Sequence, residues 1–208
     1  MKKLIIAAIA VLSVGVASAQ NVKFGIKAGL NYATFSGDVK ESNGIIGFAA
    51  GGFANIAINE KFAFQPELLF SIQGTTDKST NSYSGYSYTN DYTSRVNYLN
   101  VPLMFRFKAA EKFYLEGGPQ VGFLLSVKRT DKVTRVVGNT TTVTEYSSDN
   151  KDDVNTVDFG LNFGAGYDFT KNISVGLRYN LGLSNVAKDV VDYKVRNSVF
   201  SLAVGYTF

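Results

Sequence analysis

The sequence predicts an all-β fold: an eight-stranded antiparallel up-and-down transmembrane β-barrel, preceded by a cleaved signal peptide. Three observations point there. In the last ten residues Phe200, Leu202, Val204, Tyr206 and Phe208 alternate with Ser201, Ala203, Gly205 and Thr207, the period-two pattern of a strand with one apolar face. Connections between such segments alternate between short and long, the rhythm of a barrel with tight periplasmic turns and long external loops. The face opposite the bulky one is rich in Gly and Asn with single charges. That is unlike the Lys/Glu-rich exterior of a soluble barrel.

The strands follow in order. The first, Val22 to Tyr32, puts Phe24, Ile26, Ala28 and Leu30 on one face and Lys23, Gly25, Lys27, Gly29 and Asn31 on the other. The second, Ile46 to Ile58, is weaker, with small residues on both faces. The third runs from Phe62 to Gln73. The fourth, Tyr98 to Phe107, alternates Leu99, Val101, Leu103, Phe105 and Phe107 with Asn100, Pro102, Met104 and Arg106. The fifth is Phe113 to Val127. The sixth, Val157 to Phe169, sets Phe159, Leu161, Phe163, Ala165 and Tyr167 against Asp158, Gly160, Asn162, Gly164, Gly166 and Asp168. The seventh alternates from Ile173 to Leu183, and the eighth is the terminal segment. Asn59-Glu60, Lys108 to Lys112 and Thr170 to Asn172 are the short turns. Ser36 to Asn43, Gly74 to Ser94, Lys128 to Thr156 and Ser184 to Lys194 are the long loops. Within the third of these, the Val/Thr alternation around Gly138-Asn139 reads as a β-hairpin continuing the neighbouring strands past the membrane.

The N-terminus reads as a processing signal, with Lys2-Lys3, an apolar stretch to Ala17 and the small-residue site Ala17-Ser18-Ala19. Cleavage is expected between Ala19 and Gln20. Residues 1–19 would then be the signal and 20–208 one barrel domain. The alternative, a retained anchor, requires a span of about 20 apolar residues. The formal charge of +4 falls by two when Lys2 and Lys3 leave, which does not suggest nucleic acid. The chain has no Cys and no His, so disulfides, thiol chemistry and the commonest general base and metal ligand are missing. No cofactor is expected. Gly160, Gly164 and Gly166 form only a fragment of a dinucleotide loop, with no helix after it. Gly25 and Gly29 share one face of a strand and are not a helix-dimer motif.

The bulky face is expected to meet lipid. The interior of an eight-stranded barrel is only just wide enough to be filled by side chains. Inward glycines leave room there for Arg106, Arg178, Tyr98 and Tyr114, whereas Leu, Phe and Val pointing outward need no such room. Closure also pairs every backbone group in hydrocarbon. Phe62, Phe107, Phe113, Tyr167, Phe169, Tyr206 and Phe208 lie beside the short turns, where an aromatic girdle would sit. Lys27, Glu67, Arg106, Glu116, Asp158, Asp168 and Arg178 should face the lumen as a polar network, because unpaired charges in a narrow interior are expensive. A turn centred on Ala110 would place Arg106 opposite Tyr114 and diagonal to Glu116, so an Arg106–Glu116 contact is expected. Pro66, Pro102 and Pro119 fall inside strands, where each predicts a bulge or a missing ladder bond.

Gln65-Pro66-Glu67-Leu68-Leu69-Phe70, Tyr98-Leu99-Asn100-Val101-Pro102-Leu103 and Phe113-Tyr114-Leu115-Glu116-Gly117-Gly118-Pro119 with Gly122, in that order and spacing, resemble the outer-membrane β-barrel family of Bacteroidetes, the PorT-like or "porin family" barrels. The opening Gly25 to Asn31, Arg178-Tyr179-Asn180 and the ending Tyr206-Thr207-Phe208 share the resemblance. It implies an outer-membrane barrel, insertion by the barrel-assembly machinery through a C-terminal aromatic strand, and no catalytic residues.

The leading functional expectation is a non-enzymatic barrel with a side-chain-filled lumen. It would sit in outer-membrane lipid with both termini periplasmic, in a structural or surface-interaction role toward an unidentified extracellular partner. Tyr83, Tyr86, Tyr88 and Tyr92, in the loop Gly74 to Ser94, are the contact candidates, because Tyr gives amphipathic contact area at low entropic cost. A narrow channel for ions or small solutes is a second reading. A soluble lipocalin-like periplasmic ligand binder is a third, and it would reverse the facing of every strand. Asp149, Asp152 and Asp153 form an acidic stretch of the kind that is usually just solvated.

Overall fold

Each strand that faces hydrocarbon must find a hydrogen-bonding neighbour on both sides, and the topology meets that condition by closing on itself. The computed structural model describes residues 22–39, 43–188 and 193–208, so the expected signal peptide, residues 1–19, and the expected Ala19–Gln20 cleavage site lie outside the described residues. The strands are β1 (Val22–Gly37), β2 (Asn43–Ala57), β3 (Phe62–Tyr83), β4 (Tyr86–Lys108), β5 (Phe113–Val137), β6 (Thr140–Asp149), β7 (Val157–Asp168), β8 (Ile173–Gly182) and β9 (Val195–Thr207). β1 pairs antiparallel with β2 on one side and β9 on the other, and the ring runs β1-β2-β3-β4-β5-β7-β8-β9. Eight strands close the barrel. β6 is outside it, paired with the far end of β5.

Facing follows the predicted sense. Leu177 is 62% exposed while the Arg178 side chain is 10% exposed, and Phe200, Leu202 and Val204 are exposed while Asn197 and Val199 are buried. Bulky residues therefore cover the outer wall and polar ones fill the interior, which removes the lipocalin-like reading. The short turns are fixed by their own side chains. Asn59 Oδ1 accepts from the N–H groups of Lys61 and Phe62, both at 2.9 Å, and Thr170 Oγ1 accepts from Ile173 N at 2.9 Å. Phe62, Phe107, Phe113, Tyr167, Phe169, Tyr206 and Phe208 are all exposed at this end. The rings of Phe62 and Phe107, Tyr167 and Phe169, and Tyr206 and Phe208 lie 5.0 to 5.7 Å apart.

The prolines leave gaps without shifting register. The β2–β3 ladder is interrupted between Phe53↔Glu67 and Ile56↔Phe64, beside Pro66. The β3–β4 ladder is interrupted between Pro66↔Leu103 and Leu69↔Asn100, beside Pro102. The β4–β5 ladder is interrupted between Pro102↔Gln120 and Phe105↔Gly117, beside Pro119. Each proline keeps its pairing on the other side. The bulges fall elsewhere, between Gly44 and Ala49 in β2–β3 and between Asn97 and Tyr98 in β4–β5.

Two predicted loops are largely strand. β3, β4 and β5 run to 22, 23 and 25 residues, far beyond the 9–11 that a tilted strand needs to cross a bilayer. Their excess, with β6, makes a four-stranded antiparallel sheet projecting from the long-loop end of the barrel. Gly85 and Gly138 take positive φ, 73° and 56°, at the two hairpin tips, and Gly138 N donates to Gly85 O at 3.0 Å, tying the tips together. The hairpin read at Gly138-Asn139 is present. The Tyr-rich stretch read as a loop is instead the β3–β4 hairpin.

Candidate functional site: a layered lumen and a projecting sheet

The lumen is built in layers. At the short-turn mouth an open vestibule of about 570 Å³ is lined by Lys23, Arg106, Lys108, Lys112 and Lys171 with Glu111 and Asp168. Arg106 forms its floor. Its guanidinium lies 3.5 Å from the centroid of the Tyr114 ring, donates to Gln65 Oε1 at 3.0 Å and to Asp168 Oδ1 at 3.3 Å. Glycine makes this possible, since a Cβ on Gly166 would run into the Tyr114 ring and one on Gly176 would sit 3.1 Å from its hydroxyl.

The next layer is a compact charge cluster. Glu67 Oε1 accepts from Lys27 Nζ at 2.8 Å, from Gln65 Nε2 at 2.8 Å and from Arg178 at 2.9 Å, and Oε2 accepts from Arg178 at 2.8 Å. Arg178 Nε also reaches Glu116 Oε1 at 2.8 Å. Two cations and two carboxylates balance, and the Glu67 side chain is 0% exposed. Charges so buried persist only when paired and hydrogen-bonded, and here each charge is paired, while Glu116 Oε2 is left without a hydrogen-bond partner. Strand register sets this up: Gly164 lies between Glu116 of β5 and Arg178 of β8 as their shared partner, and its missing side chain leaves the gap the two bridge.

Above the cluster, Asn31, Ser71, Gln120, Asn162, Asn180 and Ser201 form hydrogen-bonded ladders around a cavity of about 50 Å³, room for a few waters. Asp158 lies higher still. It is away from every cation of the cluster and accepts from Ser184 Oγ at 2.5 Å and Asn197 Nδ2 at 2.9 Å. The long-loop end is closed by an apolar plug of Val96, Tyr98, Leu124, Val127, Val154 and Val186, with Phe35 and Val195 against it. The β5 bulge helps make the plug. Leu125 is skipped between Tyr98↔Leu124 and Asn97↔Ser126, so Leu124 and Val127, three apart, both point inward. Val154 and Val186 come from the last two long connections, which a bridge between Val154 and Ala187 ties together.

Of the seven charges predicted for the lumen, the structure brings together Lys27, Glu67, Glu116 and Arg178, pairs Arg106 with Asp168, and leaves Asp158 with neutral partners. The expected Arg106–Glu116 contact is corrected. The β4–β5 register places Arg106 directly opposite Glu116, with Tyr114 across from Lys108, so the turn centres on Glu111 and not Ala110. Glu116 nonetheless turns across the lumen to Arg178, and Arg106 turns toward Asp168 and Tyr114. Sequence reasoning missed the Asn layer as a unit and the plug residues Val154 and Val186. The inward Asn of alternate strands was a visible signal for the first, and nothing in the loops announced the second.

The projecting sheet has two unlike faces. Paired residues share a face, and the rows Asp77↔Tyr92↔Asp131↔Tyr146, Asn81↔Tyr88↔Arg135↔Thr142 and Tyr83↔Tyr86↔Val137↔Thr140 put Tyr83, Tyr86, Tyr88 and Tyr92 on one side together with Tyr146. In β4 this side continues into Val96 and Tyr98 of the plug. The other side carries the rows Thr76↔Thr93↔Thr130↔Ser147, Thr80↔Thr89↔Thr134↔Val143 and the charge-alternating Lys78↔Asp91↔Lys132↔Glu145. Tyr83 and Tyr146 are 74% and 65% exposed.

No curated protein sequence matches the chain. Among solved structures it is similar to the attachment invasion locus protein Ail of Yersinia pestis (13% identity, 91% of this chain and 100% of that one, TM-score 0.44). It is also similar to Neisserial surface protein A (16%, 89% and 97%, 0.45) and to the N-terminal β-barrel domain of Pseudomonas aeruginosa OprF (11%, 88% and 97%, 0.32). The family described as outer membrane protein beta-barrel domain matches residues 18–188. That match takes in all of the barrel except its closing strand β9, and this chain belongs to that outer-membrane β-barrel family.

Proposed function

We propose that this outer-membrane barrel is a non-conducting, non-enzymatic anchor whose work is done by the projecting sheet, through contacts made outside the cell. The observation that carries this reading is the pairing of a lumen closed at two levels with a sheet that extends four strands beyond the membrane and gathers five tyrosines on one face. A pore needs a continuous wet path. Here the charge cluster fills the cross-section at mid-barrel, and six buried apolar side chains fill it again at the long-loop end. Five tyrosines held on a hydrogen-bonded sheet give a contact surface that loses little freedom on binding.

The same reading puts the short turns, the aromatic girdle and both termini on the periplasmic side, with the hairpin tips outside. It has the barrel-assembly machinery insert the chain through β9. Within the family, the Gln65-Pro66-Glu67, Asn100-Val101-Pro102 and Gly117-Gly118-Pro119 segments favour the PorT-like Bacteroidetes branch.

Two measurements test it. Purified protein in planar bilayers should give no steady open events above the lipid background, and regular single-channel steps would favour the narrow channel instead. A Tyr88→Cys variant, in a chain with no other cysteine, should be labelled on intact cells by a membrane-impermeant maleimide. Labelling only after lysis would place the sheet on the wrong side of the membrane.

A further inference from the structure

We infer that the free edge of β6 is a homophilic docking strand that pairs antiparallel with β6 of a second copy anchored in an opposing membrane. This inference rests on the surface-contact reading above and names the partner of the projecting sheet. Among the described residues β6 pairs only with β5, and all ten of its residues are exposed. One whole row of backbone N–H and C=O groups therefore faces water. Proteins ordinarily protect such an edge with lysine, proline, a bulge or a short strand. β6 has no lysine, proline or bulge and is ten residues long, and its only charges are Glu145 and Asp149. It reads Thr140-Thr141-Thr142-Val143-Thr144-Glu145-Tyr146-Ser147-Ser148-Asp149, with an unbroken register to β5. Its β-branched content favours strand pairing. By contrast, the opposite edge of the sheet, on β3, carries Asp77 and Lys78 near its root.

The chemistry of the edge selects its partner. Its two carboxylates stand in register beside cations of its own sheet, Glu145 opposite Lys132 and Asp149 opposite Lys128, so a basic partner segment would bring its charge up against those lysines. What remains is a run of hydroxyls and methyls, which suits a strand of the same kind through Thr–Thr cross-strand pairs. Antiparallel pairing of identical edges requires a two-fold axis perpendicular to the sheet, and residues that meet must lie on the same face. A centre at Glu145 would set like charges face to face. A centre at Thr144 pairs Thr144 with itself, Val143 with Glu145 and Thr142 with Tyr146, and uses every residue from Thr140 to Ser148. That axis reverses strand direction and so reverses the attached barrel. The two barrels then sit at opposite ends of one eight-stranded sheet, in two membranes. Parallel pairing would keep both barrels in one membrane, with a weaker ladder.

The test uses two proteoliposome populations carrying wild-type or variant protein with different affinity tags. Wild-type vesicles should cluster on mixing, read by light scattering. After mild oxidation Thr144→Cys should give disulfide-linked dimers containing both tags, while Asn81→Cys on the β3 edge should not. The double variant Thr142→Lys/Thr144→Lys should cluster at least tenfold more slowly, with unchanged heat-modifiable electrophoretic mobility showing that its barrel is folded. Dimers confined to one population, equal cross-linking at Asn81→Cys, absence of clustering, or clustering by the double-lysine variant at the wild-type rate would each overturn the inference. If it falls while Tyr88→Cys is still labelled on intact cells and bilayers stay silent, the surface-contact reading stands and only its partner is wrong.

Discussion

Replacing Glu67 by Gln probes the charge cluster where it is most tightly made. Glu67 is completely buried and accepts four hydrogen bonds, three of them from the cations Lys27 and Arg178. The wild-type cluster is neutral. The variant holds Lys27 and Arg178 against Glu116 alone, so one positive charge is left without a partner in a lumen lined by Met104 and Asn side chains. Breaking a buried pair in this way costs about 3–5 kcal/mol. At about 1.4 kcal/mol per decade that lowers the folding equilibrium constant roughly a hundredfold to several thousandfold. The assay is urea unfolding of protein refolded into vesicles. It is followed by far-ultraviolet circular dichroism or heat-modifiable mobility, because the chain has no Trp to report fluorescence. Adding Lys27→Met to Glu67→Gln restores neutrality, with Arg178 on Glu116, and should recover part of the loss. A Glu67→Gln variant within about 1 kcal/mol of wild type, with no recovery in the double variant, would mean that water reaches these charges and that the cluster is no seal.

Three further perturbations test separate layers. Gly166→Val should displace the Tyr114 ring lying against it, and with it the Arg106 stack. The expected loss is about 1–3 kcal/mol in the same unfolding assay, whereas Gly85→Asn at an open hairpin tip should be close to neutral. The β5 bulge predicts opposite outcomes for adjacent leucines. Leu124→Ala empties a buried plug position and should cost about 2–5 kcal/mol, while Leu125→Ala, on the outer side, should cost clearly less. Leu202→Arg places a charge on the outer wall between Leu30 and Leu177. It should cost about 2–4 kcal/mol if that row lies at the bilayer midplane, and an unchanged midpoint would move the row to the interface or into water.

Where a strand has one wet and one apolar face, its alternation declares it, and the eight barrel strands were legible for that reason down to which of Leu177 and Arg178 points outward. The same signal fails once both faces meet water. In Gly74 to Ser94 no apolar stripe remains, so Thr, Ser, Tyr and Asn look like a polar loop, although Thr and Tyr favour strands and the stretch is ordered as β3 and β4. Lumen contacts were legible only by composition. Cross-strand reasoning sees neighbours two strands wide, but Glu67 meets Arg178 across 111 residues and Glu116 meets it across 62. Those contacts depend on how the whole ring closes, and even the correct β4–β5 register, which sets Arg106 opposite Glu116, does not give the partners of Arg106, because Glu116 is taken by Arg178 across the lumen.

The layering also explains why glycine, and not cavity or charge alone, sets what this interior can hold. A barrel of eight strands has a fixed girth, so each large inward side chain requires a small one facing it. Phe53 lies against Gly25, Tyr114 against Gly166, and Glu116 against Gly164, where a Cβ would come within 3.1 Å of the carboxylate. These glycines are paired in sequence with the residues they admit through fixed strand registers: Gly25↔Phe53, Tyr114↔Gly166, Glu116↔Gly164. The interior is therefore a set of complementary large–small pairs that fill the cross-section. Widening it into a pore would require changing both members of several pairs at once. An anchor that presents a sheet outside needs only that the filling hold, and a conducting barrel would need these same positions to be small on both sides.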